Sequence, residues 1–277
     1  MNYDKLKLLD WIPLENICWD CLSENPNAIQ LLKQNPDKID WDNVYCNPNA
    51  IHLIKHKKIN KMNWYGLSSN PNAIHLLEQY PEKIHWISVC SNPNAIHLLK
   101  PKLDKKQKID YICWPLLSKN PSAIQMLEQY PKQLVWTMLS MNSNAISLSL
   151  LEQHLDKIEW DYLSFNSAAI AISLLEKNID KINWDNLCEN PSAIQLLERN
   201  IDKINWRKLC ENPNAIHLLE RNIDHISWGK LCKNPSIFER DYLAMSKDRT
   251  NIIYQELMER ALHPSRVMKW IEADFDF

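Results

Sequence analysis

Ten tryptophans, at positions 19, 41, 64, 86, 114, 136, 160, 184, 206 and 228, follow one another at intervals of 22 to 24 residues, with a single interval of 28. A period in this range marks an array of small supersecondary units, and it constrains the fold more than any other feature of the chain. Written from each Trp, the unit is W-x-x-L-[SC]-x-N-P-[NS]-A-I-x-L-L-E-x-N-x-D-K-I-x. The third residue after Trp is Leu or Val in all ten units, and the sixth is Asn in all ten, from Asn25 to Asn234. Pro follows that Asn in eight units; Ser follows it after Asn142 and Asn166.

The unit parses into two helices. Asn before Pro is biased away from the helical region, so Asn190 suits an N-cap with Pro191 as the first helical residue. In the segment that follows, Ala193, Ile194, Leu196 and Leu197 share one arc at 100° per residue, with Gln195, Glu198 and Arg199 opposite. Asn200 suits a left-handed stop with Ile201 behind it. A second, shorter helix starts at Trp with Asn183 or Asn205 as its cap. The competing parse makes I-x-W a short strand, as in leucine-rich repeats. Caps before Trp and the near-absence of glycine favour two helices, since only Gly66 and Gly229 occur in 277 residues.

A unit this small cannot bury its own apolar stripe, so neighbours must stack. The expected fold is all-α: an α-solenoid of about ten two-helix repeats over residues 19–236, a rod or arc of roughly 90 Å at 9–10 Å per layer. Residues 1–18 form the N-terminal cap, with a helix from Tyr3 to Trp11, and residues 237–277 form C-terminal capping helices, the whole being one continuous domain.

Composition excludes several functions. Two glycines cannot build the phosphate cradles of nucleotide-binding enzymes. Lys plus Arg is 32 against 34 for Asp plus Glu, a net charge of -2, so the basic footprint of a nucleic-acid binder is missing. A column of lysines (Lys38, Lys61, Lys83, Lys157, Lys181 and Lys203) is mostly preceded by Asp or Glu and reads as neutralised. No apolar run approaches a membrane span, and the N-terminus carries charge where a signal peptide needs an apolar stretch. The expectation is a protein that is neither secreted nor transmembrane.

No residue pattern supports catalysis, a cofactor, a metal or a small-molecule substrate. Cys188, Cys210 and Cys232 take the place four after Trp where other units carry Ser. Equivalent atoms one layer apart, at about 10 Å, are too distant for a disulfide or a shared zinc shell. Cys18-x-x-Cys21 is a lone pair without a second one. His52, His75, His97 and His217 all lie eleven after Trp, on the polar side of the second helix. The Asn ladder reads as helix caps and the Trp ladder as core.

The variable positions one, two and five after Trp carry the functional signal. They are polar in the outer units, for example Asp42, Asn43, Asp185, Asn186, Glu189, Arg207, Lys208 and Glu211. In the middle units they become Tyr65, Ile87, Leu116, Met138, Met141, Tyr162 and Phe165. A contiguous apolar strip marks a protein-binding surface. The alternative is that the insertion around Pro101 to Asp110 folds over the strip and makes it core.

The unit N-P-[NS]-A-I-x-L-L-E with D-K-I-x-W, the opening K-L-K-L-L-D-W-I-P and the tail L-M-E-R-A-L-H-P-S-R-V-M-K-W resemble the tryptophan-containing helical repeat proteins encoded by giant DNA viruses of amoebae, the mimivirus and marseillevirus groups. The resemblance spans nearly the whole chain and implies a viral protein acting in the infected host cytoplasm or in the virus particle; it implies no activity. The expected function is a non-enzymatic interaction scaffold that binds a host or viral protein, or itself, through the outward face of its short helices. Two alternatives are a structural component of the particle and an adaptor whose C-terminal helices recruit a host enzyme such as a ubiquitin ligase.

Overall fold

The computed structural model describes residues 5–54, 59–104 and 112–272, with the side chains of 102–104, 145–148 and Ala261 left aside. Helix dominates, and the chain divides into two compact units. One is Asp10–Ile237; the other joins Met1–Leu9 to Phe238–Phe277.

Each Trp opens a short helix of four to six residues, from Trp19–Ser23 through Trp228–Leu231. The residue before Trp is extended and caps the helix in several units. Asn183 Oδ1 accepts from Asn186 N at 3.1 Å and Asn205 Oδ1 from Lys208 N at 3.2 Å. The Asn six after Trp caps a 3-10 turn rather than an α-helix in unit eight: Pro191–Ala193 is 3-10, and the second α-helix begins only at Ile194. Its end also differs from the sequence expectation. Asn200 has φ -135°, outside the left-handed region, and its Nδ2 donates to the Leu196 carbonyl at 2.8 Å. A side-chain bond thus satisfies the helix end without a special backbone conformation. A further 3-10 turn, Ile201–Lys203, leads to the next Trp, and the I-x-W segment forms no strand.

The core is a column of small and branched side chains. Leu22, Leu67, Leu117, Leu139, Leu163, Leu187 and Leu209 are wholly buried at the third position after Trp, facing Leu32, Leu77, Leu127, Leu151, Leu175, Leu197 and Leu219 from the second helices. Ala28, Ala73, Ala123, Ala193 and Ala215 are equally buried, which lets the two helices approach. The repeat tryptophans are not core. Each is half-buried, and several are covered by residues that close their own unit. Lys38 lies 4.6 Å over Trp19, Lys157 4.5 Å over Trp136 and Lys181 4.7 Å over Trp160, while His225 stacks on Trp206. Lys38, Lys157 and Lys181 therefore cover indole faces, a cation–π use that the sequence pattern alone does not reveal.

Successive units are joined through the ten buried asparagines. In each, Oδ1 accepts from the backbone N–H two residues on, at 2.9–3.0 Å. The Nδ2 donates to two carbonyls of the preceding unit: Asn47 to Ser23 O at 3.0 Å and Asn25 O at 2.7 Å, Asn190 to Ser164 O at 2.9 Å and Asn166 O at 2.8 Å. Asn120, after the 28-residue interval, makes one such bond, to Cys90 O at 3.0 Å. The first member has no preceding unit in sequence, yet Asn25 donates to Cys232 O at 2.8 Å and Asn234 O at 2.9 Å, both in the tenth unit. Asn27 repeats its own inter-unit bond there, to Pro235 O, and Lys233 pairs with Glu24 at 2.9 Å. The ladder is closed. An open rod with separately capped ends is corrected by this, because each end of the array is occupied by the other.

The N-terminal segment differs too. Leu6–Leu8 is a strand (β1), not part of a helix, and pairs antiparallel with Phe238–Arg240 (β2), Leu6 opposite Arg240 and Leu8 opposite Phe238. The alternating L-K-L suits either structure, and the partner strand, distant in sequence, decides. The tail continues as a helix from Tyr242 to Glu256 capped by Asp241, a π-helical turn Leu257–Ala261, and a helix Pro264–Glu272. Neither helix contains a buried residue.

Replacing Asn190 by Ala removes a cap and leaves two buried carbonyls without donors, so the unfolding free energy should fall by roughly 3–5 kcal/mol. Asn190→Asp keeps the cap acceptor but turns a carboxylate oxygen toward both carbonyls, and should be at least as damaging. Denaturant unfolding checks this; a loss below about 1 kcal/mol for Asp would contradict the two-sided role.

Candidate interaction surface

The fourth position after Trp explains why the junctions tolerate only certain residues. Ser23 Oγ donates to Trp19 O at 2.9 Å and accepts from Asp40 N of the next unit at 3.0 Å. Cys210 does the same, its Sγ donating to Trp206 O at 3.2 Å and accepting from Ser227 N at 3.3 Å. A small side chain that both donates and accepts is required, which Ser and Cys supply. Unit two breaks this rule with a buried Tyr45. In the next unit, a Cβ on Gly66 would lie 3.0 Å from Tyr45 Cβ and 3.2 Å from Cys46 Sγ. The contact is with the Cβ and backbone of residue 45 and the Cys46 sulfur, so the close approach of the two short helices, rather than the bulk of the Tyr ring, is what favours glycine at 66.

That close approach is a property of the Trp-helix layer, where adjacent short helices pack against one another. Second helices of adjacent units meet through the far ends of long side chains instead. His97 reaches Glu78 at 3.0 Å, His217 reaches Glu198 at 2.8 Å and Arg199 reaches Glu176 at 3.7 Å. In a closed circuit the layer with closer neighbours lies at the smaller radius, so the Trp helices form the inner layer. The exposed histidine column of His52, His75, His97 and His217 belongs to the outer one.

The sequence-derived strip lies on this inner layer, divided in its exposure. Tyr65 is 63% exposed and Ile87 47%, whereas Leu116, Met138, Met141, Tyr162 and Phe165 are half-buried. Their surroundings follow from the equivalent positions elsewhere. Across the junction between units eight and nine, Lys208 pairs with Glu189 at 2.5 Å, and Lys230 pairs with Glu211 across the next. The hydrogen bond that Lys208 donates to Glu189 holds its ammonium above the ordinary pKa, and the bond from Lys233 to Glu24 does the same for Lys233. The junctions from unit eight round to unit one are thus bridged by ion pairs, whereas Tyr162 and Met141 stand at the equivalent positions between units six and seven. At the first position after Trp, the exposed Asp20, Asp42, Asp161 and Asp185 outnumber the exposed Arg207, with Asp161 and Asp185 accepting from Asn183 and Asn205 at 3.1 and 3.0 Å. The insertion proposed to cover the strip, residues 101–110, lies mainly outside the described residues.

A groove of about 290 Å³ opens between the second helices on either side of the insertion, lined by His97, Lys100, Gln125, Met126 and Tyr130 among others. Among the described residues, no set of three His, Cys, Asp or Glu side chains is placed to hold a metal ion. None of their helices is long and apolar enough to cross a membrane. No family model, curated protein or solved structure matches the chain.

Gly66→Ala should cost about 1–2 kcal/mol, the overpacking strain exceeding the helix-propensity gain. Gly229, whose Cβ site is open, should gain roughly 0.5–1 kcal/mol as Ala. A double-mutant cycle with Cys46→Ala, which removes the sulfur 3.2 Å from that site, should return a coupling above about 0.5 kcal/mol between positions 46 and 66. Additive thermal shifts would contradict the contact.

Proposed function

We propose that Asp10–Ile237 is a ring-shaped α-solenoid acting as a non-enzymatic scaffold, and that it binds a protein segment along the inner wall formed by its Trp helices. The observation that carries this reading is the partition of that wall into an apolar arc and an ion-paired arc on a closed ladder. The buried Leu, Ala and Asn columns run through the array while positions one, two and five vary, so those positions can serve recognition without altering the ladder. Ten helices spaced 8–10 Å apart would put their axes on a circle of about 25–32 Å. Subtracting a helix width of about 10–12 Å leaves an opening near 15–20 Å, enough for one helix or a hairpin. A partner with an apolar side and a basic side suits an apolar arc beside the surplus aspartates.

A second reading has its own support. The tail helices expose Leu243 at 86%, Tyr242 at 69% and Tyr254 at 61%, with no buried residue in either helix. Surface of this kind favours the adaptor role, in which Tyr242–Glu272 recruits another protein. The viral resemblance directs the search for either partner to infected amoebae.

The test is affinity capture from infected amoebae with the full chain, with a Met138→Asp/Phe165→Asp variant and with a Leu243→Asp/Tyr254→Asp variant. A protein lost only in the first variant, with helical dichroism unchanged, supports the inner wall. Loss only in the second moves the site to the tail. Equal capture by all three would overturn both.

A further inference from the structure

The inter-unit bond at the fourth position places that side chain against the residue preceding the next Trp. Going round the closed ladder, these two positions hold Ser and Asp, Tyr and Asn, Ser and His, Cys and Cys, Ser and Val, Ser and Glu, Ser and Asn, Cys and Asn, Cys and Ser, and Cys and Cys. Two junctions of the ten therefore bring cysteines together. At one, Cys113 N donates to Cys90 Sγ at 3.4 Å; at the other, Cys18 N donates to Cys232 Sγ at 3.2 Å. The roughly 10 Å separation of Cys188, Cys210 and Cys232 concerns equivalent atoms one unit apart and does not apply to this pairing. An N–Cα bond of about 1.46 Å puts each sulfur within roughly 5 Å of the facing Cα, so a rotation of the facing cysteine about its Cα–Cβ bond is what brings the two sulfurs together.

These two junctions are the irregular ones. Cys90 and Cys113 flank the 28-residue interval, where Asn120 makes only one of the usual two bonds. Cys18 and Cys232 face each other across the seam where the first unit meets the tenth without a chain connection. We infer that Cys18–Cys232 and Cys90–Cys113 are disulfide-forming sites that staple the chain-unconnected seam and the long-interval junction of the closed ladder under oxidising conditions.

Burial divides the roles. Cys18 and Cys113 are half-exposed, while Cys232 and Cys90 are buried. A small disulfide such as oxidised glutathione reaches the exposed member first. The Cys18 thiolate attacks one sulfur of that disulfide, forming a mixed disulfide and expelling one glutathione thiolate. Cys232 then gives its proton to solvent and attacks the Cys18 sulfur, expelling the second. Two thiols become one disulfide, and the reagent is reduced to two thiols. Burial raises the Cys90 thiol to about 11 and also raises Cys232, which keeps both from reacting with the reagent directly.

The experiment treats the reduced full-length chain with oxidised glutathione and maps disulfides by peptide mass, with Cys232→Ser and Cys90→Ser as controls. Serine occupies the same position in five other units, so both variants should fold. The expected result is monomer containing the 18–232 and 90–113 bonds, faster migration on a non-reducing gel, and a melting temperature higher by roughly 5–10 °C, reversed by dithiothreitol. Cys232→Ser should lose the 18–232 bond and most of the mobility change; Cys90→Ser should lose only 90–113. Oxidation that joins Cys18 to Cys21, forms only glutathione adducts, or gives no melting shift would overturn the inference.

Discussion

The buried asparagine six residues after each tryptophan is the interaction on which the rest depends. Its carbonyl oxygen caps the turn of its own unit, and its amide nitrogen holds two carbonyls of the unit before. A single side chain thus fixes the local start of a turn and the register between neighbours. No other residue does both. Aspartate lacks the donor, Ser lacks the reach for two acceptors, and Gln adds a methylene that would misplace both. Each bond contributes only about 0.5–1.5 kcal/mol, but leaving its partners buried and unpaired costs more than the bond contributes. Selection for the amide at this position follows from that asymmetry.

Much of the unit was legible because it is local. The period, the buried Leu column, the caps before Trp and the helical character of both segments follow from spacing and side-chain type. The long-range half was not. Asn190 looks like a cap in sequence, and it is one, but nothing in the string says that its nitrogen reaches Ser164 and Asn166. Closure is invisible for the same reason: ten units complete a turn only if each rotates by about 36°, an angle set by the difference in spacing between the inner and outer layers. The tryptophans misled because a large aromatic in lockstep with Leu suggests core, whereas Lys38 and Lys181 cover ring faces that the core leaves open. Leu6–Leu8 became a strand through a partner 230 residues away, beyond any local pattern.

The candidate surface was legible in part. Tyr65 and Ile87 stand out from the wall as the apolar pattern suggests, but Met138, Met141, Tyr162 and Phe165 are partly absorbed by junction packing. The same two positions can hold Lys208 with Glu189 or Tyr162 with Met141, so junction stability and surface chemistry are separable. That separation lets the array vary its surface residues while its asparagine ladder stays constant.

Closure of the ladder is the central claim, and carbodiimide crosslinking tests it most directly, since that reagent joins only carboxylates and amines already in contact. Monomeric protein should yield a Glu24–Lys233 crosslink as readily as Glu189–Lys208, which joins neighbours in sequence. A Glu189–Lys208 product in monomer without any Glu24–Lys233 product would mean that the first and tenth units do not meet.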